Sequence, residues 1–243
     1  MNKVYDSFMR AVSDIPDGAS IMIGLFGGPA GTPQNLIVAL RDRGVKNLTV
    51  IVANFGFVLR SIRTKTGEFR PKDFISPSIL LENKQVKKAV VNWTRPNRAG
   101  EMSLLEGQVK AGEIQVEIMP MGVQVMRMKA GGMGIGGFYS PVGVGTSYAK
   151  DKEKRAFDGK EYILERPLRA SVGFVRAYKA DRIGNLVCRG TAREGNPLVA
   201  KACDLTIAEV DDVLEPGEID PDQIHIPGIY IDRVVKIPEG GWR

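Results

Sequence analysis

Apolar positions along this chain fall into two rhythms that alternate with one another. Val4 to Val12 repeats at helical spacing, and Ile15-Pro16-Asp17-Gly18 breaks it with a turn. Ser20-Ile21-Met22-Ile23-Gly24-Leu25 reads as a buried strand. A glycine-rich segment follows, Phe26-Gly27-Gly28-Pro29-Ala30-Gly31. Thr32 is placed to cap a helix with Pro33 at its first position, Leu36, Ile37 and Leu40 on its apolar side, and Gly44 at its end. Leu48 to Ala53 is the next strand. Strand, helix and strand at these lengths predict a parallel crossover unit, because parallel neighbours need a long connection.

The alternation continues through a short strand at Ala89-Val90-Val91, a helix over Glu101–Ala111, a strand over Ile114–Met119 and a helix over Val123–Ala130 closed by Gly131 and Gly132. The last third changes character. Ala170–Lys179 and Asn185–Arg189 pattern as two strands joined by Ala180-Asp181-Arg182-Ile183-Gly184, with further strands at Leu205–Val210 and Ile229–Ile237. The expected fold class is therefore α/β: an open, mostly parallel sheet with flanking helices and a β-hairpin-rich C-terminal third. Residues 1–243 read as one domain. Residues 57–78 have no clear period and read as a mobile insertion.

Composition narrows the chemistry. With 43% hydrophobic and 26% charged residues the chain is ordinary for a soluble protein. No apolar run approaches the roughly 20 residues that span a bilayer, so no membrane association is expected. Met1 to Asp6 has no apolar signal core, and two cysteines, Cys188 and Cys203, are too few for a disulfide framework. A cytoplasmic, reducing setting is the expectation. The single histidine, His225, lies in the apolar stretch Ile224-His225-Ile226-Pro227 and reads as a core or interface residue rather than a base. One histidine and two cysteines without zinc-ligand spacing give no metal site. The net charge of +6 is partly concentrated between Phe57 and Gly100, where ten basic residues face Glu68, Asp73 and Glu82. Such a patch suits an anionic partner, or is a solvated basic face; no nucleic-acid-binding motif accompanies it, so nucleic acid is not expected.

Two glycine-rich segments carry the remaining signal. Gly27, Gly28 and Gly31 precede a helix whose first N–H groups and positive dipole end would favour a carboxylate, phosphate or developing oxyanion. A tight turn that binds nothing is the alternative. It is not a P-loop, since no Gly-Lys-Ser/Thr follows. In Gly131 to Thr146, Gly132, Gly134 and Gly137 satisfy G-x-G-x-x-G, but a helix precedes and Phe138-Tyr139-Ser140-Pro141 follows, which rejects a dinucleotide site. Main chain this bare suits packing against a substrate or another chain. Met119, Met121, Met126, Met128 and Met133 nearby read mostly as plastic core packing. No carboxylate is marked as a nucleophile by spacing alone.

Asp17-Gly18 through Pro33, Gly131 through Thr146, Lys179 through Asn185 and Ile224 through Tyr230 occur in an order that resembles the A (alpha-type) half of family I coenzyme A transferases, the 3-oxoacid and acetate types. The resemblance spans nearly the whole chain. It implies a B subunit partner, in a heterodimer or heterotetramer, that carries the catalytic glutamate in a Ser-Glu-Asn-Gly context. Here Glu82-Asn83 is followed by Lys84, so no catalytic residue is expected in this chain. It implies coenzyme A and acyl-CoA as substrates, with a free carboxylic acid as acceptor and no permanently bound cofactor. The implied chemistry is covalent: a partner glutamate forms an acyl–enzyme anhydride and then a glutamyl-CoA thioester. It also implies substrate-side roles for Gly27, Gly28, Gly31, Asn54, Met121, Gly131, Gly132, Gly134 and Phe138. Two departures stand out: Gly24-Leu25-Phe26 where the family has Gly-Gly-Phe, with one extra residue before Gly31, and Met121 where relatives often carry glutamine. The alternative is a subunit of a hydrolase or ring-opening enzyme with the same fold.

Overall fold

The computed structural model describes residues 2–24, 31–56, 74–94 and 102–241, and the backbone of 62–64 and 67–69. Among the described residues nine strands build the central sheet, eight of them in one continuous row: β1 (Val4–Tyr5), β2 (Ser20–Ile23), β3 (Leu48–Ile51), β6 (Val86–Val91), β7 (Gln115–Ile118), β11 (Ala170–Asp181), β13 (Cys203–Leu214) and β14 (Arg233–Lys236). They lie in the order β1-β14-β13-β11-β2-β3-β6-β7, and every neighbouring pair is parallel. The expected open, mostly parallel sheet is what forms. β12 (Leu186–Val187) folds back antiparallel on β11, the hairpin expected in the last third.

Helices cover both faces. On one lie α1 (Phe8–Ala11), α2 (Gln34–Arg43), α3 (Ser78–Glu82) and α4 (Leu104–Lys110), burying Leu36, Leu40, Leu80 and Leu105 against Ile21, Ile23, Val50 and Phe174. On the other lie α5 (Met121–Gly132) and α6 (Ala192–Ala202), with Met128 and Val199 against Met22, Ile51, Val175 and Val210. Ile21 and Ile23 face one layer while Met22 faces the other, the two-residue alternation of a strand covered on both sides. Each such fully buried aliphatic side chain is worth about 1.5–3 kcal/mol over an exposed one.

Several elements depart from the sequence pattern. Val4-Tyr5 is an edge strand on β14, and the helix starts only at Phe8, where Ser7 Oγ accepts the Arg10 N–H at 3.2 Å. The parallel edge of β14 outcompetes a helix whose apolar spacing fitted either state. α6 is a further helix that the sequence reading does not include; Gly195, Asn196 and Pro197 in its first half are poor helix formers, although its apolar side is well defined. A second sheet, β8 (Phe138–Ser140), β10 (Lys160–Glu165) and β9 (Lys154–Phe157), lies among charged residues that give no strand signal. Its β9–β10 turn, Asp158-Gly159, has both residues at positive φ, as a two-residue hairpin turn of type I′ requires. α5 continues through Gly131 and Gly132, and Gly134 takes the left-handed conformation after it. β4 (Ile62–Thr64) and β5 (Gly67–Phe69) form an antiparallel pair within the expected insertion, much of which lies outside the described residues.

Candidate functional site

Strand order reverses at the centre of the sheet. From β2 the chain winds outward through β3, β6 and β7; from β11 it winds the other way through β13 and β14. Open α/β sheets bind ligands outside the carboxyl ends of the strands at such a reversal. The first glycine-rich segment leaves β2 at this point. Gly27 and Gly28 lie outside the described residues; Gly24 and Gly31, which bound the segment, are described.

β2 ends before β11 does. Gly24 N–H donates to the Phe174 carbonyl at 3.1 Å, and β11 then runs on to Asp181. The next rung, the Arg176 N–H, is taken by Asn196 Oδ1 at 2.9 Å. The same carboxamide donates to Gly31 O at 3.3 Å and to Ala192 O at 3.1 Å. Asn196 is fully buried. It can sit there because Gly24 has no side chain: a Cβ at that position would collide with Asn196 Oδ1.

Below this wedge lies a buried charged pair. Arg176 and Glu209 are register partners on β11 and β13, with Arg176 Nε 3.6 Å from Glu209 Oε1. Arg176 also donates to Ala177 O and, at 2.8 Å, to Asp211 Oδ1. Glu209 Oε2 accepts the Leu36 N–H at 3.0 Å and Oε1 accepts from Asn35 Nδ2 at 3.3 Å. Burial pushes the Glu209 carboxyl up to about 7, while Arg176 and the donors of α2 pull it back down. The N-terminus of α2 is thus already supplied with a carboxylate from inside the fold. An internal acceptor therefore serves the first turn of α2, and any external anion would be left to the main chain of the segment ahead of Gly31, which lies outside the described residues.

Three of the expected residues gather at the carboxyl edge. Gly31 precedes α2, Asn54 follows β3, and Met121 opens α5 after β7. Asn54 Oδ1 accepts the Gly56 N–H at 2.8 Å, the strand-end turn chemistry common for asparagine. Asn92, after β6, donates to Met119 O at 3.1 Å and to Gln124 Oε1 at 2.7 Å. Asn92 Oδ1 and Gln124 Nε2 remain buried without a partner among the described residues. Each such group costs about 1–3 kcal/mol unless water or a ligand serves it.

Gly131 and Gly132 are not brought to that edge. α5 runs back about 18 Å at the helical rise, so its last turn lies toward the amino ends of the strands. There Gly131 abuts Leu168 O and Gly132 abuts Lys201, next to the starts of β11 and β13. Their missing side chains serve close packing within the chain. Gly134 is exposed with open space where a side chain would stand, and Phe138, half-buried, pairs with Glu165 at the start of β8. The strap after Phe138 is anchored by Glu165, which accepts from Tyr148 Oη at 3.1 Å and lies 2.5 Å from Lys152 Nζ. Burial and the neighbouring Glu165 push the Tyr148 hydroxyl's pKa up.

Elsewhere, His225 Nδ1 accepts the Cys188 N–H at 3.3 Å, and burial with Arg193 nearby holds its pKa below the ordinary value. Its Nδ1 serves as a structural acceptor for the backbone. Cys188 and Cys203 are free thiols, and burial raises both, Cys188 to about 12. Met119 and Met128 are core residues as expected, whereas Met126 and Met133 are exposed. Among the described residues no cluster of three or more His, Cys, Asp or Glu side chains could hold a metal, and no helix is long and apolar enough to cross a membrane. Arg176, Glu209, Asn196, Asn92 and Gln124 are not marked by the sequence pattern. The signal for two of them was present: a charge interrupts each of the apolar runs Val-Gly-Phe-Val-Arg176-Ala and Thr-Ile-Ala-Glu209-Val.

The chain is similar to known proteins along most of its length. Over 235 residues the chain is 43% identical to the A subunit of the probable succinyl-CoA:3-ketoacid coenzyme A transferase of Bacillus subtilis, covering 97% of this chain and 90% of that one. It is 40% identical to the A subunit of the 3-oxoadipate CoA-transferase of Pseudomonas putida, covering 98% and 94%. An acyl-CoA transferase from Escherichia coli O157:H7, solved as a thioester complex with CoA, superposes with a TM-score of 0.73 at 22% identity. That match covers 98% of this chain and 47% of the solved one, so this chain spans about half its length. The family described as coenzyme A transferase matches residues 5–237, and the chain belongs to it.

Proposed function

We propose that this chain is the A half of a heteromeric CoA transferase that moves CoA between an acyl-CoA and a free carboxylic acid. The observation that carries the reading is the coenzyme A transferase match over residues 5–237, on a sheet whose strand order reverses between β2 and β11. The carboxylate beside the glycine segment, Glu209, is fully buried and held by Leu36, Asn35 and Arg176, so it cannot reach a thioester. A B subunit then supplies the attacking glutamate. Its carboxylate adds to the thioester carbonyl and expels the CoA thiolate, giving a mixed anhydride. The thiolate attacks the glutamyl carbonyl of that anhydride, releasing the first acid as its carboxylate and leaving a glutamyl-CoA thioester. The second acid takes CoA by the reverse steps, so no water or redox partner is consumed.

In this reading Gly31, Asn54 and Met121 form the substrate side of the cleft, with Gly27 and Gly28 in the segment ahead of Gly31. Main-chain donors there would stabilise charge on the thioester oxygen as the glutamate adds. The exposed run from Met133 to Gly136, followed by Phe138, faces the B subunit. CoA itself is a substrate rather than a resident group, and the setting is cytoplasmic. The relatives at 43% and 40% identity bear the names of different acids, so succinyl-CoA with a 3-oxo acid is the first substrate pair to test, with 3-oxoadipate as the second.

The test is co-purification with the B subunit, incubation with succinyl-CoA, and borohydride trapping. CoA transfer to acetoacetate together with borohydride inactivation mapped to a glutamate of the partner is the expected result. Steady release of free CoA without an acceptor would replace transfer by hydrolysis. A trapped residue in this chain would overturn the division of labour between the two polypeptides.

A further inference from the structure

The reversal point between β2 and β11 holds three buried polar side chains that the proposed chemistry leaves unassigned. Asn196 replaces a rung of the sheet, bonding the Arg176 N–H on one side and Gly31 O on the other. Arg176 and Glu209 stand on the neighbouring strands, and Glu209 reaches Leu36 on α2. Five elements therefore meet through hydrogen bonds and an ion pair at one place: the end of β2, the start of α2, β11, β13 and α6. Burying an ion pair is poor stabilisation, since apolar residues of the same volume often do as well or better. What such a network supplies instead is a fixed geometry.

The geometry is specific. Without Asn196 the Arg176 N–H and Gly31 O would be unpaired in the interior, and β2 and β11 could close toward a regular ladder. With it, the strands are held apart at the carboxyl edge, and Gly24 and Gly31 are fixed relative to each other. An error of about 1 Å in the placement of reacting groups can cost on the order of 100-fold in rate.

We propose that Asn196, backed by the Arg176–Glu209 pair, is a positioning residue that sets the separation of Gly24 and Gly31 at the carboxyl edge of the sheet for the acyl-transfer steps. This rests on the CoA-transferase reading given above. Asn196 touches no reacting atom. It acts through the main chain of Gly31, and Glu209 acts through the first turn of α2.

Asn196→Asp separates positioning from packing. It keeps the volume and the acceptor for the Arg176 N–H, but once ionised has no donor for Gly31 O. In the complex assembled with the B subunit, with succinyl-CoA and acetoacetate, kcat should fall at least about tenfold while KM for succinyl-CoA changes less than about threefold. In the same samples, hydrogen exchange of the 31–37 backbone should quicken by a larger factor than that of the remaining strands of the sheet. Glu209→Gln, which keeps the shape and one acceptor, should show the same split in smaller measure and serves if the first variant fails to assemble. Wild-type kcat in either assembled variant, or a kcat loss matched by an equal rise in KM, overturns the proposal, as does unchanged exchange at 31–37. A wild-type complex that transfers no CoA would instead overturn the transferase reading, and the exchange result would still decide whether Asn196 is a clamp.

Discussion

Two glycine-rich segments look alike in the sequence and use glycine for different reasons. At the β2–α2 connection, Gly24 gives room to another side chain, the buried carboxamide of Asn196. At the end of α5, Gly131 gives room to the Leu168 carbonyl, and Gly132 gives room to Lys201, its Cβ and its carbonyl together. Only beyond them, at Gly134 and Gly136, does the bare main chain meet open space. The first segment thus sits over a hydrogen-bonded network at the reversal of the sheet. The second begins as a packing seam and ends as an exposed surface. A glycine motif records that something comes close; it does not record whether that is ligand, partner or the same chain.

The comparison can be broken most forcefully at Gly131. A Cβ there collides with the Leu168 carbonyl, a backbone oxygen that cannot rotate away. Gly131→Ala should destabilise the chain by about 3 kcal/mol, the upper end for overpacking, in urea unfolding. Little change would mean that the seam is loose. Gly24→Ala meets a side chain instead, which can shift at the expense of its bonds. About 1–2 kcal/mol is expected, with a larger proportional loss of kcat in the assembled complex. Equal losses of stability and rate at the two positions would erase the distinction.

Glu209 offers a pH test of the first segment. Its folded pKa is raised to about 7 from the ordinary 4.5, with Arg176 already opposing the rise. The folded state therefore binds the proton more tightly than the unfolded one. Its contribution to stability is greatest below about pH 4.5 and is lost as pH rises toward and through 7. Glu209→Gln cannot titrate. The melting temperature of that variant minus that of the wild type should rise between about pH 5 and pH 8. A difference that is flat or falls with pH would place the carboxylate in a better-solvated setting than its burial indicates.

The smallest expected effect is at Gly136, which has ordinary φ and open space around it. Gly136→Ala should change the stability of the isolated chain by no more than about 0.5 kcal/mol. If the exposed end of the second segment meets the B subunit, the same substitution should weaken assembly, read as a higher dissociation constant in sedimentation or titration. Unaltered assembly would return that stretch to solvent.

The parallel sheet was legible because its evidence is local. Ser20–Ile23, Leu48–Ile51 and Ala170–Asp181 are apolar runs separated by connections too long for hairpins, and Gly44 and the Asp181–Gly184 loop mark their own turns. Gly31, Asn54 and Met121 entered as site candidates through the family resemblance, and each of them follows a strand of the sheet. The charged hairpin of β9 and β10 and the proline-bearing α6 were not legible, since their stability comes from neighbours far along the chain.

The sequence by itself determined the α/β class, the strand-and-turn punctuation around both glycine segments, and the lack of a Ser-Glu-Asn-Gly nucleophile motif. These are properties of short stretches, fixed by side-chain period, backbone freedom and residue identity. Only the tertiary structure decided which glycines face protein, that Glu209 takes the α2 terminus from an internal strand, and that Asn196 stands in a missing rung between β2 and β11. Those depend on residues far apart in the chain arriving at one point, as Glu209 and Leu36 do across 173 positions. Register and burial set that meeting, and no local pattern encodes either.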